Sequence, residues 1–317
     1  MLRLYRFFIH PLVFWSLTII LCAMSLSFIL PLPLLIAKQF RAYAIPWMFV
    51  CLGLAMIFLI ISQKKLMYVA IACCAAMALF LLNSFNTNIK LANHDNLHSI
   101  SIAFINPSIS NGHIQQIIQQ IQFTQADLVV VEEFTPEWME LGEWLASNYS
   151  FSIKEMRIDP LGKAIFSKFN FTDQNIYKIL QNPVLSIGLV SSANDSFKIF
   201  ASNSLPPVTM NGYQKLKIYL DSLANTINSF SGPRILCADL NIVPWSSELL
   251  QFKSSTDFNS SRRDNTQGLI QNSLFGIFNT PKNEIMYSKN LECSWFQVME
   301  DGDKNPFGIF GRYQLKF

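Results

Sequence analysis

Two hydrophobic patterns divide the chain. Residues 11–30, 42–61 and 66–82 contain no charged side chain, and about 17–25 apolar residues of helix suffice to cross a bilayer's hydrocarbon. Each stretch therefore predicts a transmembrane helix. A cleaved signal sequence has an apolar core of only about 7–15 residues; the first stretch is longer and two more follow it, so the expectation is a permanent anchor. Pro31 and Pro33 should end the first span, because each lacks a backbone donor that a lipid-exposed helix needs. Trp47 is placed to sit at the headgroup level, and the small residues of 70–78 to pack helix on helix. With no ionisable residue inside a span, the expected role of this region is anchorage, not transport.

From His98 the pattern changes to short β-rich runs separated by helical stretches. Residues 98–106 and 126–133 read as buried strands, with Ile114, Ile117, Ile118 and Ile121 at helical spacing between them. A helix starting at Pro136 and running through Trp144 follows, then strands over 151–157, 163–168, 185–191 and 197–202. Tyr213, Leu216, Leu220, Leu223 and Ile227 mark one stripe of a long amphipathic helix that stops at Ser231-Gly232-Pro233, before the strand 234–239. Runs 284–288 and 308–316 are expected to close the sheets. About 225 residues are enough for one layered α/β core.

Charge sharpens the division. Seven of the chain's 24 Lys and Arg and none of its 21 Asp and Glu fall in residues 1–90, so residues 91–317 carry a net −4. The domains expected are thus an anchor, 1–90, and a second domain, 91–317. Basic residues favour the cytoplasmic side: Arg3, Arg6, Lys64 and Lys65 on one side outnumber Lys38, Arg41 and Lys90 on the other. This predicts a cytoplasmic N-terminus with residues 91–317 across the membrane, periplasmic in a bacterial inner membrane. Cys237 and Cys293 would be free to pair in an oxidising compartment, but Cys237 lies in an apolar run that favours a buried thiol. No Cys or His spacing suits a metal.

Polar residues gather where apolar strands should end: Asn106, Glu132, Glu133, Asp239 and Asn241. A strand buried on both faces tolerates a carboxylate only at its exit, so these ends are a candidate site. Taken singly, each residue is better explained as a turn or helix cap; taken jointly, at three strand ends, the site reading is on a par with it.

The chain resembles the endonuclease/exonuclease/phosphatase family in its membrane-anchored bacterial form. Ala238-Asp239-Leu240-Asn241, followed by Pro244-Trp245-Ser246, is similar to the family's Gly-Asp-Phe-Asn turn and Pro-Trp-Ser. Asp127 through Glu133 and Thr135-Pro136-Glu137-Trp138 resemble its Asp, four apolar residues, Gln-Glu and Thr-Pro-Glu-Trp. Gly162-Lys163-Ala164-Ile165-Phe166-Ser167-Lys168 and Leu205-Pro206-Pro207 match two further stretches. The resemblance implies a four-layer α/β sandwich that cleaves phosphoesters with Mg²⁺ or Mn²⁺. It implies Glu133 as the principal metal ligand, with Asn106 beside it and Asp303 as a retained acidic residue. Asp239 would position or deprotonate the attacking water and Asn241 would hold the phosphate. Glu132 stands where the family has Gln; strand alternation would point it away from Glu133, so no ligand role is expected of it.

The acid/base set departs from the family's. Its His before the double proline is Asn203, its orienting Asp is Asn283, and the His of its terminal Ser-Asp-His is Lys304. Imidazole titrates near neutrality and an unperturbed Lys near about 10.4, so Lys304 is expected to place a positive charge on phosphoryl oxygens or, with a depressed pKa, to act as an acid. No His follows His113, itself expected at an exposed helix start. The expectation is a metal-dependent phosphoester hydrolase with impaired or altered machinery, or a catalytically inactive domain that binds at the membrane. A small or lipid-like phosphoester suits the location. Long nucleic acid does not suit a net −4 domain whose only strong basic pair, Arg262-Arg263, reads as an exposed loop.

Overall fold

Apolar helices open the chain. The computed structural model describes residues 10–84, 86, 98–110, 113–191, 194–262 and 283–316; Arg3, Arg6, Lys90 and Arg263 lie outside them. Helix α1 (Pro11–Ile29) stops just before Pro31. Helix α2 (Leu35–Phe40), a 3₁₀ turn (Arg41–Tyr43) and α3 (Ala44–Ile60) form one helical run, and α4 (Lys64–Ser84) follows. Three runs, Pro11–Ile29, Leu35–Ile60 and Lys64–Ser84, are long and apolar enough to cross a membrane, which places the protein as an integral membrane protein.

The second run starts earlier than the charge-free stretch suggests, so Lys38 and Arg41 lie on it and not in a loop. Pro46, with no N–H to return to the preceding turn, explains the 3₁₀ geometry at 41–43. Trp15, Ile36 and Leu59 are exposed, as expected for a lipid-facing surface. Small side chains make the close contacts: Cys51 and Ala55 of α3 pack with Ala70 and Cys73 of α4. Trp47 is used between helices, its indole N–H donating to Ser25 Oγ at 3.0 Å and its ring stacking on Phe28.

The chain divides into two compact units. Val243–Ser247 belong to the helical one and the remaining described residues after 84 to the other, apart from the 243–247 segment itself. Within the helical unit Trp245 is fully buried among Phe28, Ala44, Met77 and Leu81, and its Nε1 donates to the Arg41 carbonyl at 2.7 Å. Arg41 is buried, its guanidinium donating to Leu30 O and Ser247 Oγ.

The second unit is built on twelve strands among the described residues. In order these are β1 (Ser99–Ile105), α5 (Ile114–Thr124), β2 (Leu128–Glu132), α6 (Met139–Asn148), β3 (Phe151–Glu155), β4 (Lys163–Ser167), β5 (Phe171–Ile179), β6 (Asn182–Val190), β7 (Ser196–Asn203), α7 (Met210–Asn228), β8 (Arg234–Asp239), α8 (Ser247–Thr256), β9 (Phe258–Ser260), β10 (Asn283–Ser288), β11 (Leu291–Glu300) and β12 (Pro306–Leu315). They form two six-stranded sheets, β11-β12-β1-β2-β4-β3 and β5-β6-β7-β8-β10-β9. Each sheet has one parallel pair, β1–β2 and β7–β8, and each pair is joined by a crossover helix, as parallel strands require.

Alternation sets the layers. Ile102, Phe104, Leu128 and Val130 face Ile199, Ala201, Ile235 and Cys237 across the middle. Ala103, Ile105, Val129 and Val131 turn the other way, onto Ile117, Ile118 and Ile121 of α5 and Leu141 of α6. On the far sheet Phe200, Leu236 and Met286 meet Leu216, Leu220 and Leu223 of α7. The result is a helix–sheet–sheet–helix sandwich. Cys237 and Cys293 are both buried and are not joined by a disulfide.

Candidate functional site

The inner faces of the two sheets end in polar side chains at one rim. In β8 the inward positions are Ile235 and Cys237, so Asp239 is inward too. Its register partners are Asn203 of β7 on one side and Asn283 of β10 on the other, so all three side chains issue from the same face. On the opposite sheet the inward residues of β2 are Leu128 and Val130, then Glu132, which is paired with Lys163 of β4. A cleft of about 180 Å³ is lined by Glu132, Glu133, Pro160, Leu161, Asn203, Ser204, Leu205, Pro206, Asp239 and Asn241.

Local backbone fixes these positions. Glu133 has φ of 48° and Asn241 φ of 52°, left-handed values that end the extended strands. Glu133 is thus not part of the strand alternation, and it lines the same cleft as Glu132 instead of pointing away from it. Phe134, next in the chain, donates its N–H to Gly162 O at 3.0 Å. A Cβ on Gly162 would collide with the Phe134 carbonyl oxygen, so only glycine permits that approach.

The Asp239–Asn241 turn is stitched to the end of β7. Ser204 N–H donates to Asp239 O, Ser204 Oγ to Leu240 O at 2.6 Å, and Asn241 Nδ2 to Ser204 O at 2.8 Å. Asp239 Oδ1 accepts from Asn241 N–H at 3.0 Å. Asn203 Nδ2 donates to Pro160 O at 2.8 Å, closing one wall of the cleft.

Glu132 and Lys163 are the residues that sequence reasoning passed over. Glu132 is 1% exposed; its Oε1 accepts from Asp239 N–H at 3.0 Å, across the sheets. Burial, then the charge of Asp239, pushes its carboxyl well above the usual range, against the pull of Lys163. Lys163 is fully buried, its Nζ donating to Asn182 Oδ1 and Pro183 O on the other sheet. Burial draws its ammonium down to about 7, with Glu132 opposing. Strand alternation, applied only as far as residue 132, would have put both on the inner face.

The remaining candidates lie nearby or elsewhere. Asn106 follows β1, whose Ile105 pairs with Val131, so it sits at the end next to Glu132; its Oδ1 caps the following turn by accepting from Ser108 N–H. Asp303 and Lys304 occupy the 301–305 turn, held by Asp301 Oδ1 accepting from the N–H groups of Asp303 and Asn305. Neither is among the residues lining the cleft. The carboxylate of Asp303 is 3.7 Å from His113 Nε2, both exposed. Arg262 is not an exposed loop residue: it is buried, donating to Asn283 O at 2.7 Å and lying over the Phe296 ring. Among the described residues no group of three or more His, Cys, Asp and Glu is gathered to hold a metal.

The sequence profile of the Endonuclease/Exonuclease/phosphatase family matches residues 92–294. The chain belongs to this family. Its fold is similar to that of D. rerio TDP2 humanised by 14 mutations, at 13% identity and TM-score 0.56 over 68% of this chain and 99% of that one. It is similar also to an endonuclease/exonuclease/phosphatase from Bacteroides vulgatus, at 13% and 0.56 over 69% and 99%, and to the human Nocturnin catalytic domain with bound sulfate anion, at 16% and 0.52 over 70% and 97%. At such identities the likeness is one of fold. No curated protein matches the chain.

Proposed function

We propose that the protein is a membrane-anchored, divalent-metal-dependent phosphoester hydrolase whose acid/base machinery is severely impaired. The observation that carries this reading is the row Asn203, Asp239, Asn283: the carboxylate keeps its place, while both strand neighbours are carboxamides that neither titrate nor relay a proton. Asp239 orients the attacking water and Asn241 the phosphate. Lys304 contributes positive charge without an imidazole's proton transfer near neutral pH.

The donor chemistry at the cleft fits a hard cation, because buried oxygens there lack partners: Glu132 Oε2 and Asn203 Oδ1 in the lining, Asn283 Oδ1 beside it. Glu133, with Asn106 and Asp303 at the same sheet end, is the proposed ligand set for Mg²⁺ or Mn²⁺. Held there, such an ion would supply the positive charge that offsets charge developing on the phosphoryl oxygens. Two observations favour a small or lipid-like phosphoester over long nucleic acid. The cleft lining has no Lys or Arg among the described residues, whereas duplex binding rests on many basic contacts; and three helices apolar enough to cross a membrane tether the domain to a bilayer.

The test uses the full chain in detergent with Mg²⁺ or Mn²⁺ and nitrophenyl phosphomonoester and phosphodiester substrates. The reading expects slow, metal-dependent turnover that disappears in Glu133→Ala. Absence of turnover in the wild type, with no effect of metal on its melting temperature, would replace it by a non-catalytic binding domain.

A further inference from the structure

The rim between the sheets contains a concentration of buried oxygen atoms with nothing to accept from. Glu132 Oε2, Asn203 Oδ1 and Asn283 Oδ1 are all buried and unpartnered, and each belongs to a side chain bonded or register-paired to Asp239. A buried polar atom left unsatisfied is costly, and here three such atoms belong to side chains tied to one residue by a bond or by register. Lys163, register-paired with Glu132, does not relieve them, since its Nζ is committed to Asn182 and Pro183. Repulsion between Glu132 and Asp239 adds to the deficit.

We infer that Glu132, Asp239 and Asn203 form a cation site of their own, taking a hard divalent ion of the Mg²⁺ or Mn²⁺ type, with Asn283 supporting Asp239 from its other flank. Two carboxylates and a carboxamide carbonyl are all-oxygen donors, and an ion of this class keeps several waters and needs few protein ligands. A volume of 180 Å³ accommodates the ion with such waters, at about 30 Å³ each. Glu132 is the element peculiar to this chain. Where the family pattern places Gln, the carboxylate supplies the charge that would hold a cation between the sheets. The inference rests on the same unpartnered oxygens as the proposed metal chemistry but assigns them to ligands other than Glu133, Asn106 and Asp303, and the test below separates the two.

Mn²⁺ binding to the full chain in detergent is followed by the electron paramagnetic resonance of the free ion, together with melting temperatures. Glu132→Gln retains an acceptor for the Asp239 N–H, so folding is preserved and its melting temperature without metal should equal or exceed that of the wild type. The inference expects Glu132→Gln and Asn203→Leu each to weaken one bound Mn²⁺ by at least about tenfold, Asn203→Asp to tighten it, and Glu133→Ala to leave it in place. Unchanged Mn²⁺ affinity and number in Glu132→Gln would overturn the site, and so would a wild type that binds no Mn²⁺. If Mn²⁺ is instead lost only in Glu133→Ala, along with turnover, the inference fails while the proposed function stands.

Discussion

A lysine enclosed between two sheets reports directly on pH. The Lys163 ammonium is pulled down to about 7 by burial, while in the unfolded chain it titrates near about 10.4. Between those values the unfolded state binds more protons, so its contribution to stability rises with pH and is smallest below the folded value. We expect the melting temperature of the full chain in detergent to carry this rising component from pH 7 to 9, and Lys163→Met to remove it. Equal pH slopes for the two proteins would contradict the assignment. Lys163 and Glu132 also show where residue-scale reading stopped short. The alternation that sends Leu128 and Val130 inward sends Glu132 inward as well, but extending it past the strand, through the left-handed backbone of Glu133, made the two glutamates look opposed. Asp239 and Asn241 were legible because an apolar strand must end where a carboxylate begins. The burial of Arg262 was not, since nothing local distinguishes it from an exposed arginine.

Most elements were written in periodicity; α8, β9, β5 and β11 were not, and for the last two there is a physical reason. β5 and β11 are the outermost strands of their sheets. β5 is largely exposed along its length, and β11 is broken by irregular register between Cys293 and Trp295, so neither shows clean alternation. Within the helical unit, the span boundaries followed composition, but the hold on Trp245 did not. Its position four residues beyond Asn241 suggested only a family motif, whereas its ring fills the space among Phe28, Ala44, Met77 and Leu81. Trp245→Ala should destabilise that unit by about 3–5 kcal/mol through the cavity left behind. Trp245→Phe should cost less, chiefly through the lost bond to the Arg41 carbonyl, about 1–3 kcal/mol. Denaturant titration of both variants in detergent checks the order; equal stability of wild type and Trp245→Ala would contradict it.

At the scale of the molecule, three helices apolar enough to cross a membrane and a family sandwich share one chain, and the sandwich's cleft is lined by carboxylates and carboxamides. Both sheets contribute to that cleft, which is why no single segment of sequence revealed it. The four-layer fold followed from the strand–helix order and the family resemblance, but the meeting of Glu132 with Asp239 depends on how two separate sheets stack. Well-placed acid/base groups contribute about 10²–10⁴ in rate, so their replacement is the central claim. The most direct measurement compares Mg²⁺-dependent hydrolysis of a nitrophenyl phosphodiester by the full-length wild type with that by the triple variant Asn203→His, Asn283→Asp, Lys304→His. The account predicts a rise of about 10²–10⁴ in kcat for the variant. A wild type already as fast as the folded variant would contradict it.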